Sequence, residues 1–328
     1  MSTTAYRTAA WLWGGARRYT NAGYERAAAS FNAGDLDVTV RVEGRSFMVT
    51  GANSGIGYAT CREIVLRGGV LHMVCRNPER AEAAQRKLLE ETKVSPAMVE
   101  VHILDISCIK DVARFAQEFC ASGKPLHVLI NNAGCMVRER QTTSEGLEVN
   151  FATNTLGPYV LTTALIPVLA KAPNARVLNV SSGGMLLVKL DMTDPQLERP
   201  TKFDGQMAYA HNKRQMMVIM DHWAKVHASD GISFYSMHPG WADTPAVRES
   251  MPDFHKFWKN KLRTEEQGAD TLVFLAISGS VTPEQSGEFF EDRAVTSKHL
   301  SLCRTQSTPA EEEQLVQYVS ELASKLTA

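Results

Sequence analysis

A glycine-rich segment, TGANSGIG at residues 50–57, follows the apolar run SFMVT and leads into a stretch of helical character. Its glycines, Gly51, Gly55 and Gly57, have the spacing G-x-x-x-G-x-G, one residue longer than the common dinucleotide fingerprint. A loop that leaves a parallel strand and enters a helix presents free N–H groups and the positive end of the helix dipole to a pyrophosphate. The segment therefore predicts the first βα unit of a nucleotide-binding sheet.

Downstream of residue 45, short apolar runs alternate with helical patterns. The runs are nearly continuously apolar, which is typical of parallel strands that are covered on both faces. The alternation predicts an α/β fold: a Rossmann-type doubly wound parallel sheet of about seven strands, with helices on both faces. The predicted strands are 46–50, 70–75, 99–104, 126–130, 175–181, 232–238 and 287–290.

Three segments are expected along the chain. Residues 1–44 are predicted to be an N-terminal helical extension, 45–304 a single nucleotide-binding domain, and 305–328 a C-terminal helix that packs on that domain. The last helix has a clear start, because Thr308 precedes a proline at the first helical position and Glu311 at the third, as in a capping box.

Charge, hydropathy and cysteine spacing exclude several classes of protein. With 35 basic and 36 acidic residues and no basic stripe, the chain is not expected to bind nucleic acid. Its longest apolar run, 159–170, contains a proline and is too short for a transmembrane span. The six cysteines have no metal-ligand spacing, so no metal site is predicted, and reduced thiols fit the cytoplasm or an organelle matrix.

The first 26 residues are basic and carry Trp11 and Trp13 ahead of the first acid, Glu25. Two interpretations stay open. The segment is either an extension that packs its tryptophans onto the domain, or a targeting or interfacial helix: a mitochondrial transit peptide or a weak peripheral membrane contact. The apolar face is short and is broken by Gly14 and Gly15, which favours the first interpretation and a cytoplasmic protein.

Five further motifs follow the glycine segment in order, at the ends of predicted strands or the start of a helix. They are LDIS (104–107), NNAG (131–134), NVSSGG (179–184), YAHNK (209–213) and PGWADT (239–244). With T-G-x-x-x-G-I-G, they resemble the short-chain dehydrogenase/reductase superfamily, in particular its retinol-dehydrogenase-like members, over about residues 45–300. The resemblance implies an oxidoreductase that transfers a hydride between a nicotinamide cofactor and a carbonyl or alcohol.

The resemblance also implies which residues contact the cofactor. Asp105 would hold the adenine, and Asn131 would lie along the nucleotide. Directly after the second strand, where an acid would accept the ribose 2′-OH of NAD, the chain carries Arg76. A guanidinium can pair with a 2′-phosphate, so NADP(H) is expected rather than NAD. The predicted contact set is Gly51, Asn53, Ser54, Gly55, Ile56, Gly57, Arg76, Asp105, Ile106, Asn131, Ala133, Gly134, Tyr209, Lys213, Pro239, Gly240 and Thr244.

Tyr209 and Lys213 lie four residues apart and therefore share one face of a helix. Reduction of a carbonyl needs an acid, and a tyrosine with an ordinary pKa of ~10 donates its proton poorly unless a cation stabilises the phenolate. Lys213 can supply that cation. The resemblance adds Ser182, which would orient and polarise the carbonyl, and Asn154, which would anchor a proton-relay water near the lysine. The strand histidines His72, His102 and His127 are expected to be core residues.

Two segments are expected beside the substrate. The 27-residue separation of Ser182 from Tyr209 predicts an inserted loop there, which retinol-dehydrogenase-like members also carry. The resemblance further implies a lid after residue 244. An apolar stripe on that lid suits a lipophilic substrate such as a retinoid, a steroid or a fatty aldehyde; the stripe is Phe254, Phe257, Trp258 and Leu262.

Two questions stay open at this level. The helices that contain 153–170 and 207–223 are apolar on more than one face, so they either lie fully buried or pair across a homodimer. The alternative function is a nucleotide-sensing interaction protein with the same fold and little turnover. The complete set of Ser182, Tyr209, Lys213 and Asn154 favours the enzyme, because a scaffold needs no tyrosine–lysine pair.

Overall fold

A computed structural model describes residues 3–199 and 202–328 of the chain. Its strands are β1 (Ser46–Thr50), β2 (Val70–Cys75), β3 (Val99–Ile103), β4 (Val128–Asn131), β5 (Ala175–Val180), β6 (Ile232–His238), β7 (Phe289–Glu291) and β8 (Ala294–Thr296). They form one sheet in the order β3-β2-β1-β4-β5-β6-β7-β8, parallel except for the antiparallel pair β7–β8. The predicted doubly wound class is confirmed.

The eighth strand was not predicted. It follows β7 after a two-residue turn in which Asp292 and Arg293 both have positive φ angles, 50° and 60°. Two-residue hairpin turns of this conformation usually have the sequence Asn-Gly or Asp-Gly. The sequence Asp-Arg therefore gave no indication of a hairpin.

The helices alternate with the strands. Their bounds are α1 (Thr3–Arg18), α2 (Asn21–Ala28), α3 (Gly55–Leu66), α4 (Pro78–Thr92), α5 (Ile109–Ala121), α6 (Val149–Phe151), α7 (Gly157–Leu169), α8 (Gly205–Val226), α9 (Pro245–Ser250), α10 (Pro252–Trp258), α11 (Glu265–Ile277) and α12 (Pro309–Thr327). A π-helical turn, Ala152–Leu156, joins α6 to α7 without a break.

Alternate side chains of each strand enter two separate apolar layers, which is why the strands have continuous apolar sequences. Met48 of β1 lies in the layer that α5, α7 and α8 cover, whereas its neighbours Phe47 and Val49 lie in the layer that α3, α4 and α11 cover. The carboxyl ends of β1 to β6 meet at one edge, and this places the segments that follow them close together.

The N-terminal extension is helical and docks on the domain. The backbone N–H of Trp241 donates to the carbonyl of Tyr19 at 2.7 Å, and Asn21 donates to the carbonyl of Lys261 at 2.9 Å. Trp11 packs on Trp241 with ring centroids 5.5 Å apart, as the packing interpretation predicts. Trp13 departs from it, because its side chain remains 74% exposed.

The C-terminal helix α12 begins at the predicted capping box of Thr308 and Glu311. Its Leu315 and Val319 are buried in the layer that α5, α7 and α8 share. The apolar faces of α7 and α8 are thus largely covered within one chain. Along the described residues, no helix combines the length and the hydropathy that a membrane span requires.

Candidate active site

The glycine loop closes tightly on the segment that follows β4. A Cβ atom on Gly57 would lie 2.3 Å from the carbonyl oxygen of Gly51, so no larger residue fits there. Gly51 itself has φ +66°, a conformation that favours glycine. The amide Nδ2 of Asn132 donates to the carbonyls of Thr50 at 2.9 Å and Gly51 at 3.2 Å, which fixes the loop against the NNAG segment.

Thr50 and Asn132 were missed at the sequence level. The hydroxyl of Thr50 accepts hydrogen bonds from the backbone N–H groups of Asn132 and Ala133, both at 3.0 Å. The signal was available, since Thr50 opens the glycine motif and Asn132 lies inside NNAG. Their role is to shape the backbone, which motif spacing alone does not reveal.

Helix α3 begins at this loop with its first N–H groups open. Ser54 is the N-cap, but its side chain makes no capping hydrogen bond with the described residues. Thr244, from the segment after β6, lies across the loop, and a Cβ on Gly55 would be 3.5 Å from its side chain. An uncapped helix N-terminus beside a glycine loop is suited to a pyrophosphate, and so the residues present fit a dinucleotide.

Arg76 and Asp105 lie side by side at the ends of neighbouring strands. Arg76 Nε is 4.0 Å from Asp105 Oδ2, and the arginine side chain is 77% exposed. Asp105 also accepts from the backbone and hydroxyl of Ser107, at 2.9 and 2.7 Å, so its carboxylate is held in place. Since the guanidinium is loosely paired and open to solvent, it is free to meet an added phosphate.

Two other predicted cofactor residues face the interior. The side chain of Asn131 donates to Thr162 Oγ1 at 2.9 Å inside the domain, and Ile106 is buried in the apolar layer beneath α5 and α7. Any contact that these residues make with a nucleotide is therefore through the backbone.

Ser182, Tyr209 and Lys213 come together just after β5 and in the first half of α8. Lys213 Nζ lies 5.4 Å from the centre of the Tyr209 ring and donates to the carbonyl of Val180 at 2.8 Å. Burial raises the pKa of Tyr209 to about 12, and hydrogen bonding with Ser182 acts in the opposite direction. Burial lowers the pKa of Lys213 to about 8. At neutral pH the pair is thus a protonated phenol beside a lysine that loses its proton more readily than a lysine in water.

Asn154 lies on the π-helical turn between α6 and α7. Its side chain forms two bonds with the backbone of Cys135: Nδ2 donates to the carbonyl at 2.8 Å, and Oδ1 accepts from the N–H at 2.9 Å. A Cβ on Gly134 would be 3.0 Å from Asn154 Oδ1 and 3.6 Å from Lys213 Nζ, so Gly134 leaves the approach to both groups open. A π-helical turn at this position is typical of a functional site.

The chain is 53% identical over 98% of its length to dehydrogenase/reductase SDR family member 12 of Bos taurus, and 98% of that relative is covered. The chain belongs to the short-chain dehydrogenase/reductase family. Residues 45–191 match the family described as short chain dehydrogenase. The family assignment confirms the resemblance that the six motifs carry.

More distant relatives agree with this placement. Retinol dehydrogenase 12 of Mus musculus is 33% identical, with 80% of this chain and 82% of the relative covered. The crystal structure of L-sorbose reductase from Gluconobacter frateurii, complexed with NADPH and L-sorbose, matches with a TM-score of 0.59 and 19% identity. That match covers 76% of this chain and 95% of the reductase chain. At that identity the likeness establishes the shared fold.

The segment after residue 244, expected to form a lid and called the lid below, makes contacts that the sequence did not predict. Phe254 and Trp258 pack on Trp241, with ring centroids 5.2 and 4.7 Å away, and Leu262 joins the same cluster. Phe257 is 77% exposed. Most of the apolar stripe therefore binds the lid to the cluster that also contains Trp11 and Tyr19 of the extension.

The inserted loop runs toward α12. Gln196 Nε2 donates to the hydroxyl of Tyr318 at 2.8 Å, and Lys189 Nζ is 2.6 Å from Glu311 Oε1. The described part of the loop thus binds the C-terminal helix. Pro200 of the predicted insertion lies outside the described residues.

The strand histidines lie in or near the core, as predicted. His72 Nδ1 and His102 Nε2 are 3.0 Å apart, and Glu100 beside them is paired with Lys124 at 2.6 Å. Burial lowers the pKa of His72 to about 4, so this ring is neutral at physiological pH. His127 Nδ1 accepts from the N–H of Ser46 at 3.0 Å.

Proposed function

We propose that the protein is an NADP(H)-dependent oxidoreductase that interconverts a lipophilic carbonyl and its alcohol. The observation that carries the proposal is the approach of Lys213 to Tyr209 beside Ser182, because this is the group of side chains that proton transfer to a carbonyl oxygen requires. The bound cofactor would supply or accept the hydride, which no side chain of the protein can do.

Tyr209 is the acid in reduction and the base in oxidation. Its high pKa keeps the phenol protonated at neutral pH, ready to donate to the oxygen of a carbonyl. The ammonium of Lys213 stabilises the phenolate that remains, and its burial strengthens that interaction. Ser182 donates to the same carbonyl oxygen and orients it toward Tyr209. Asn154 holds the segment around Cys135 in place, and it would anchor a water near Lys213 that carries protons between the solvent and Tyr209.

The preference for NADP(H) rests on Arg76. Its exposed guanidinium ends β2, where a ribose 2′-phosphate would lie, and Asp105 faces it at 4.0 Å without a close ion pair. A planar guanidinium can bind a phosphate through two parallel hydrogen bonds. The reductase with the matching fold was crystallised with NADPH, which supports the same choice.

The class of substrate is inferred from the segment after β4 and from the relatives. The segment after β4 brings Cys135, Met136 and Val137 toward α8, since a Cβ on Gly205 would be 2.1 Å from the carbonyl of Val137. Arg138 Nε donates to the carbonyl of Ser250 at 3.0 Å and so joins this apolar wall to the lid. Retinol dehydrogenases among the relatives act on a lipophilic alcohol by name, and an apolar wall suits such a substrate.

The test is a panel of retinal, a ketosteroid, a long-chain aldehyde and a small sugar ketone, each offered with NADPH while absorbance is followed. We expect consumption of NADPH with a lipophilic member of the panel and little with the sugar. A calorimetric titration with NADPH alone accompanies the panel. Tight binding without turnover on any member would favour the nucleotide-sensing alternative.

A further inference from the structure

Helix α1 has an apolar inner face and an apolar outer face. The inner face packs on the domain through Trp11 and Gly15, where a Cβ would be 2.5 Å from the ring of Trp241. The large side chains of the outer face remain exposed: Tyr6 by 37%, Leu12 by 41% and Trp13 by 74%. Ala9 and Ala16 lie between them on the same side and are also exposed. We call Tyr6, Ala9, Leu12, Trp13 and Ala16 the outer face.

Basic side chains outnumber acidic ones around this face. No aspartate or glutamate occurs among residues 1–24, whereas Arg17 is exposed beside the outer face. Asn21 donates to the carbonyl of Lys261, which joins the α1–α2 turn to a second basic segment. In that segment the exposed Lys256, Lys259 and Lys261 outnumber the exposed Asp253. Phe257, 77% exposed, lies among these lysines.

We infer that the outer face of α1 binds the surface of an anionic lipid bilayer. An exposed tryptophan on an apolar helix face, flanked by arginine and lysine, has the composition of a helix that lies in the membrane interface. The helix is already folded and fixed to the domain, so little ordering is needed when it binds. This inference goes beyond the proposed activity and does not depend on it.

A bilayer fits this face better than a second copy of the chain does. One face of a helix about 24 Å long presents only a few hundred Å², whereas a stable dimer buries about 800 Å² on each partner. The excess of basic side chains would also place like charges opposite each other in a symmetric contact. Anionic headgroups, by contrast, complement it.

The internal contacts of α1 separate its two tryptophans. Removal of Trp11 breaks the contact with Trp241, whereas Trp13 has no ring neighbour among the described residues. Trp13→Ala is therefore expected to leave folding unchanged, and it tests membrane binding without disturbing the packing of α1 on the domain.

The experiment is co-sedimentation of the full chain with vesicles of phosphatidylcholine that contain roughly a quarter phosphatidylserine, alongside vesicles of phosphatidylcholine alone. We expect binding to the anionic vesicles, and a loss on the order of ten-fold for Trp13→Ala. Arg17→Gln should lower binding to the anionic vesicles alone. Val226→Ala, which removes a side chain 52% exposed at the end of α8, is the matched control and should bind like the wild type.

Light scattering without vesicles completes the test, with thermal unfolding to confirm that each variant folds. A change of molar mass in Trp13→Ala would assign the face to contact between copies and would overturn the inference. Equal binding of wild type and Trp13→Ala to anionic vesicles would also overturn it. NADPH turnover is unaffected in either case, so failure here is distinguishable from failure of the proposed function.

Discussion

Lys213 donates a 2.8 Å hydrogen bond to the carbonyl of Val180, the last residue of β5. The side chain of Lys213 is only 3% exposed, and the bond holds its ammonium directly before Ser181 and Ser182, which follow the strand. One carbonyl cannot replace the water that an ammonium loses, and burial therefore lowers the pKa of Lys213 to about 8. In the cofactor-free protein the buried ammonium of Lys213 therefore lowers the free energy of unfolding, which indicates that this lysine serves a role other than stability.

We expect Lys213→Met to stabilise the cofactor-free protein. Below pH 8 the wild type buries a charged lysine, and the shift of its pKa from about 10.5 to about 8 corresponds to a destabilisation of about 3 kcal/mol. The variant avoids this penalty but loses the hydrogen bond to Val180, which contributes about 1 kcal/mol to the stability of the wild type. Between pH 8 and pH 10.5 the unfolded wild type holds a proton that the folded one has released, so wild-type stability rises with pH. The advantage of the variant should therefore shrink across this window.

Chemical unfolding of both proteins from pH 6 to pH 10 measures the difference, and NADPH-dependent turnover should be lost in the variant at every pH. A variant less stable than the wild type at pH 6 would show that the charge of Lys213 is compensated in the folded protein.

We expect Arg76→Asp to change the choice of cofactor. The substitution removes the guanidinium and adds a negative charge beside Asp105, which repels a 2′-phosphate. Affinity for NADPH should fall by roughly 10- to 100-fold, since charge-assisted hydrogen bonds contribute about 1.5–3 kcal/mol. Affinity for NADH should change little. Titration of both nucleotides by calorimetry tests the assignment, and equal losses for the two would refute it.

We expect Gly57→Ala to abolish nucleotide binding, because its Cβ would lie 2.3 Å from the carbonyl of Gly51 and force the loop open. Gly279→Ala is a suitable control, since no atom lies within 4 Å of a Cβ at that position. Fluorescence titration with NADPH measures the effect. Retained binding in Gly57→Ala would mean that the loop does not form the nucleotide cradle.

Arg263 joins the extension to the turn between β7 and β8. Its guanidinium is 1% exposed, pairs with Asp292 at 2.6 Å and donates to the carbonyl of Arg18 at 2.7 Å. Arg263→Met would leave Asp292, only 11% exposed, without its cation, so we expect a loss of roughly 3 kcal/mol in the free energy of unfolding.

The exposed pair of Arg41 and Glu43 supplies the comparison, because Arg41→Met should change stability by less than about 1 kcal/mol. Limited proteolysis adds a local readout: we expect α1 and α2 to be cleaved faster in Arg263→Met. Equal protection of the extension in both variants would show that Arg263 does not hold it.

Residue pattern and motif order were sufficient to predict the sheet, its parallel strands and the residues that meet at its edge. Each of those predictions depends on local features: continuous apolar runs, glycine spacing, and a helical i, i+4 pair. The contacts of the extension depend instead on residues far apart in the chain. The bond from Trp241 to Tyr19 and the bonds of Arg263 have no periodicity, so sequence could not reveal them.

The lid shows the same limit. Its apolar stripe was recognised but was assigned to the substrate, because the stripe carries no information about what covers it. Trp241, inside the motif PGWADT, turned out to be the residue on which Phe254 and Trp258 pack.

The measurement that tests the central claim most directly is turnover of NADPH with the best lipophilic carbonyl of the panel, compared between the wild type and Tyr209→Phe. Tyr159→Phe is the control, since it removes a hydroxyl from a buried ring that stacks on Trp223, away from Lys213. We predict that Tyr209→Phe binds NADPH like the wild type and loses at least about 100-fold in kcat, as expected for removal of a general acid. Unchanged kcat in Tyr209→Phe would contradict the assignment of Tyr209 as the proton donor.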